Sequence, residues 1–174
     1  EGITNLRFYF MVGLPRETED DLKAISNLLG KIRHELDVVL RGKGRKMVIS
    51  VNPFIPKPWT PFQWHPYAGT KELQLKIRAL KKALQRVKGV RFHHDLPKWG
   101  YFQTLFSMGD RRVGWELYRG TKEGDWVKYL RTAAFNPDFW VLRPKGQREK
   151  FPFEVINQGV DRNSLWEEYR RALL

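Results

Sequence analysis

The first half of the chain alternates between two rhythms of apolar and polar positions. Leu6 to Val12 is a short apolar run rich in aromatics, which predicts a buried strand. Leu22, Ile25, Leu28, Leu29, Ile32 and Leu36 then recur at three-four spacing, so a helix should turn one stripe toward a core. Thr18 stands at the N-cap position of that helix, with Asp21 three residues on as a capping-box acid. Glu19, Asp20 and Asp21 put negative charge in its first turn, where the helix dipole favours it. Arg41 to Arg45 predicts a polar, glycine-bearing loop, and Met47 to Val51 a β-branched strand. Leu73, Ile77, Leu80, Leu84 and Val87 mark a second amphipathic helix, with Gly89 as its stop and Val90 to His93 as a third strand.

Strand, helix, strand, helix, strand implies parallel strands joined by right-handed helical crossovers, hence an α/β layer or part of a β/α barrel. Ligands in such folds sit at the carboxyl ends of the strands. Gly13-Leu14-Pro15 and Asn52-Pro53-Phe54 occupy two of those ends. The stretch from Asn52 to Phe62 holds four prolines and is expected to be a stiff, extended loop. From Pro97 the texture becomes mostly helical. Asp110 can cap a helix carrying Val113, Leu117 and Tyr118; Trp126, Leu130 and Ala134 suggest another, broken at Asn136-Pro137; and Asp161 can cap a last one with Leu165, Tyr169 and Leu173 inward. The expected domains are 1–96 and 97–174. Three strands and two helices leave sheet edges open, and with Glu1 at the start the chain is expected to be cut from something longer.

With 41% hydrophobic residues in 174, the chain can bury a core. No apolar run approaches the ~18 residues that span a bilayer, and residues 1–25 lack signal-peptide features, so a cytoplasmic location is expected. The absence of cysteine excludes disulfides, thiolate catalysis and a thiolate-held cluster within these residues. The net charge of +13 suits a polyanion such as RNA, or a solvated surface. Residues 71–88 hold seven Lys or Arg and one acid, Glu72, a candidate basic strip for RNA or tRNA phosphates.

The stretch Phe10-Met-Val-Gly-Leu-Pro-Arg-Glu-Thr-Glu-Asp-Asp21 resembles the late-barrel segment of radical S-adenosylmethionine (SAM) enzymes, the group that includes methylthiotransferases and the elongator catalytic subunit. Ser50-Val-Asn-Pro-Phe-Ile-Pro-Lys-Pro-Trp-Thr-Pro-Phe-Gln63 is similar to iron-sulfur oxidoreductases that place a cobalamin-binding domain before the radical SAM barrel. Phe106 to Val113, Phe153 to Val160 and Leu165 to Tyr169 also look like the C-terminal extension of that group. The resemblance implies the C-terminal part of a partial (β/α)6 TIM-like barrel followed by a mostly helical extension. It implies a three-cysteine loop elsewhere that holds a 4Fe-4S cluster, reductive cleavage of SAM to a 5′-deoxyadenosyl radical, hydrogen abstraction from a substrate, and an association with cobalamin. The missing cysteines depart from the family pattern at its most important element.

On this resemblance Gly13, Leu14, Pro15, Glu17, Asn52 and Phe54 are candidate SAM contacts. Gly13 is equally a strand-ending turn glycine, Glu17 equally a solvated carboxylate, and Asn52 equally a turn former before proline. Lys57 and Trp59 are candidate substrate contacts. Phosphate is an unsuitable ligand for the turn, since Pro15 lacks an N–H and Glu17, Glu19, Asp20 and Asp21 crowd it. His93 and His94 should point to opposite faces of a strand and cannot easily share a metal ion.

Overall fold

A computed structural model describes residues 5–39, 46–132 and 134–174. The expected loop Arg41 to Arg45 lies outside the described residues. The chain divides into two compact units: residues up to Phe54 with Thr70–Pro97, and Ile55–Gly69 with Lys98–Leu174. No helix among the described residues is long and apolar enough to cross a membrane.

The first unit is the predicted alternation: β1 (Asn5–Val12), α1 (Glu19–Val39), β2 (Lys46–Pro53), α2 (Thr70–Leu84) and β3 (Val90–His94). The strands form one parallel sheet in the order β1-β2-β3. α2 packs on β1 and β3, and α1 packs against α2. Met47, Ile49 and Val51 on β2 are buried, as are Leu73, Ile77, Leu80 and Leu84 on α2, at the positions the helical spacing predicts. The capping box also forms: Thr18 N–H donates to Asp21 Oδ2 at 2.8 Å, and Asp21 N–H donates to Thr18 Oγ1 at 3.3 Å. The bonds that Thr18 donates hold the Asp21 carboxyl below its ordinary pKa. Gly89 ends the segment after α2 at φ +71°, in the left-handed region that glycine favours.

The expectation of a partial six-stranded TIM-like barrel is overturned. The described residues hold three strands in an open parallel α/β sheet with two free edges, β1 and β3. A sheet curls into a barrel only when enough tilted strands supply the curvature, and after His94 the described residues form helices and short 3-10 turns. β1 is likewise no fully buried strand. As an edge strand it buries only Val12, while Tyr9 is 68% and Met11 54% exposed.

The second unit begins at Ile55. A 3-10 turn at Pro61–Trp64 uses proline at its start, where the missing N–H costs nothing, so the proline-rich segment is not extended throughout. α3 (Pro97–Met108), α4 (Arg111–Lys122), α5 (Trp126–Thr132), α6 (Asp138–Val141) and α7 (Arg162–Ala172) follow. Trp64, Met108, Phe151, Leu165 and Tyr169 form the core cluster. Asp110 and Asp161 cap α4 and α7 by accepting from Arg112 N–H at 2.9 Å and Ser164 N–H at 2.8 Å. Leu165 and Tyr169 face inward as expected and Leu173 packs partly buried against the cluster; Tyr118 is exposed, and Ala134 falls beyond α5. Hydrogen bonds tie segment Ile55–Gly69 into this unit. Tyr67 N–H donates to Val141 O at 2.9 Å, Lys145 N–H donates to Trp64 O at 3.1 Å, and His65 Nδ1 lies 3.1 Å from Tyr169 Oη.

Candidate functional site

The carboxyl ends of β1 and β2 lie side by side, with Met11 paired to Asn52 and Val12 to Pro53. Phe54 N–H donates to Val12 O at 2.8 Å, extending the ladder past the strand end. The chain leaves β1 through a tight turn. Gly13 sits at φ +86° and Arg16 at +62°, and Glu17 N–H donates to Leu14 O at 3.2 Å. A non-glycine residue at positive φ is uncommon, so the surroundings must hold Arg16 there.

Glu17 is what holds the turn. Its side chain is 6% exposed, and its Oε2 accepts the Gly13 N–H at 2.9 Å. Its Oε1 lies 2.9 Å from Lys76 Nζ, which also reaches Glu72 Oε1 at 3.0 Å. Burial lowers the pKa of Lys76, but Glu17 and Glu72 outweigh that and the net shift is upward. A cleft of about 470 Å³ opens beside this pair, lined by Thr18, Leu22, Lys23, Leu75, Ala79 and Ala83.

The six residues expected to contact SAM therefore separate. Gly13 is buried, Leu14 is 36% exposed and Pro15 is partly covered. Glu17 is committed to the turn and to Lys76. Asn52 is half-buried, on the sheet face that also carries exposed Met11. Phe54 is buried in the core. Lys57 and Trp59 belong to the second unit. Lys57 is exposed and its carbonyl accepts from Thr60 Oγ1 at 2.8 Å. Trp59, at φ +57°, donates its N–H to Gln63 Oε1 at 3.0 Å and meets Phe153 edge-on at 5.5 Å.

Register adds residues that the sequence pattern does not collect. Tyr9, Ser50 and His93 form one row across the sheet, on the same face as Met11 and Asn52. Alternation within each strand names the face of each residue, but only the pairing aligns them. Lys76, the anchor of Glu17, is a further addition; its sequence signal is the i,i+4 pair with Glu72. In the second unit, burial pulls the Lys145 ammonium down to about 8, and burial followed by the Lys145 charge lowers His65. Among the described residues no three His, Asp or Glu side chains come together as a metal site.

No protein-family model matches the chain, and no solved structure matches it. It is similar to an uncharacterized protein of Methanocaldococcus jannaschii, 33% identical over 112 residues, which cover 64% of this chain and 23% of that protein. The chain thus spans about a quarter of the length of the curated relative it matches.

Proposed function

We propose that this chain carries the adenosine-facing side of a SAM site in a cytoplasmic radical SAM iron-sulfur enzyme of the cobalamin-domain-associated group. The observation that carries the reading is the pre-set turn at Gly13, held by Glu17, at the end of a strand whose Met11 pairs with Asn52 of the neighbouring strand. Strand carboxyl ends are where open α/β sheets bind ligands. The Asn52 carboxamide offers both a donor and an acceptor to an adenine edge. Gly13 has no Cβ to keep a ligand away from the backbone, and Leu14 supplies exposed apolar surface beside it. Glu17 is a positioning residue in this reading, because its carboxylate is already bound within the protein.

The cluster does not fit this chain, which has no cysteine to ligate it. Reductive cleavage of SAM and hydrogen abstraction are the chemistry of the family that the sequence resembles. In this reading the cluster and any cobalamin belong to other parts of such an enzyme.

The test is equilibrium dialysis of SAM against the chain. The reading predicts saturable binding that Asn52→Ala weakens by about tenfold, the loss of one or two hydrogen bonds at ~1 kcal/mol each. Absence of binding at millimolar SAM, or equal binding by Asn52→Ala, contradicts it.

A second reading rests on α2, where Lys71, Arg78 and Lys82 recur on one exposed face. Among the described residues none of the three makes an ion pair, which suits contact with RNA phosphates.

A further inference from the structure

α4 turns an unusual face outward. Arg111, Trp115, Tyr118 and Lys122 follow at i, i+4, i+7 and i+11, so they form a single line along the helix. Trp115 is 62% and Tyr118 54% exposed, and both cations are exposed. The two rings stand at 84° with centroids 6.3 Å apart, and Lys122 Nζ lies 5.4 Å from the Tyr118 ring centre. Among the described residues Arg111 makes no ion pair. The one acid of the helix, Glu116, is occupied elsewhere: it accepts from Arg119 at 3.1 Å and from Tyr129 Oη at 2.9 Å. Beside the line, nothing lies within 4 Å of where a Cβ on Gly114 would stand. The helix buries its other side through Val113 and Gly120, so these rings are not needed for the core.

We propose that this line on α4 is a stacking platform for an unpaired RNA strand, independent of the SAM reading and of the basic strip on α2. Exposed rings flanked by cations are the pair of features that bind single strands: bases stack on the rings while the charges follow the phosphates. RNA commonly offers such unstacked bases in loops and ends. The net charge of +13 attracts a polyanion and opposes packing of this face against a second copy of the chain.

The experiment is fluorescence anisotropy of a short labelled oligouridylate with the full chain at low salt. The double variant Trp115→Ala/Tyr118→Ala should weaken binding by about tenfold or more and leave binding to duplex RNA unchanged. Trp115→Phe should retain most of the affinity, and Arg111→Gln/Lys122→Gln should flatten the salt dependence. Because both rings are exposed, the variants should melt with the parent protein. The proposal is overturned by any of four results: no binding at low salt, unchanged affinity of the Ala/Ala variant, tighter binding to the deoxy strand, or a dimer in sedimentation that the Ala/Ala variant dissolves.

Discussion

Glu17 shows how one side chain fixes the geometry of a candidate site. Its carboxylate satisfies the N–H of buried Gly13 and the ammonium of Lys76 together. Glu17→Ala should therefore cost about 1–3 kcal/mol, the penalty of leaving a buried donor unpaired, as read by urea denaturation. The Lys76 ammonium has a pKa raised above the ordinary 10.5. Its stabilising contribution is complete below 10.5 and is lost as pH rises through the folded-state value. A Lys76→Met variant should lack that alkaline loss of stability, and an identical alkaline profile in both proteins would contradict the assignment. Lys145 behaves in the opposite way. Its folded pKa of about 8 lies below the ordinary 10.5, so the unfolded chain binds the extra proton between those values and stability climbs with pH across that window. At pH 7 the buried charge costs on the order of 3 kcal/mol, and Lys145→Met should be more stable by about that amount. The same variant should raise the pKa of His65, which the Lys145 charge helps to depress, as followed by NMR titration.

At the scale of elements, α2 and the caps at Thr18, Asp110 and Asp161 are legible in the sequence because their signals are local. A capping side chain and an apolar stripe act within one or two turns, where spacing determines who meets whom. β1 misleads for the opposite reason. An aromatic run looks the same in an edge strand and in a central one, and only the number of neighbouring strands decides how much of it is covered. Tyr9 and Met11 are exposed on β1 for that reason. On α4 the burial falls on a narrow stripe of Val113 and Gly120, and Tyr118 is exposed. Gly120 is part of that stripe: a Cβ there would stand 2.9 Å from the Cα of Trp126. Since a backbone atom cannot swing aside, Gly120→Ala should destabilise by about 1–3 kcal/mol. A thermal melt equal to the parent's would show that α4 and α5 separate freely.

At the scale of the whole molecule, the alternation of strand and helix conveys a parallel α/β sheet, while strand count and closure are invisible to it. Periodicity specifies the faces of an element; curvature depends on partners that no local pattern names. The neighbouring ends of β1 and β2 follow from parallel pairing, but the commitment of Glu17 and Phe54 to the protein itself depends on Lys76 and on burial in the finished fold. The charge of +13 also acts at this scale. If α2 contacts RNA, replacing Lys71, Arg78 and Lys82 with alanine should lower the slope of log affinity against log salt by about two to three for duplex RNA, and an unchanged slope would remove α2 from the interface. Whether the strand ends bind SAM is decided by amide-resolved NMR of the full chain titrated with SAM. Shifts should centre on Gly13, Leu14 and Asn52, and Asn52→Ala should need about tenfold more SAM to reach them. A spectrum unmoved at millimolar SAM, or shifts confined to other parts of the chain, would contradict it.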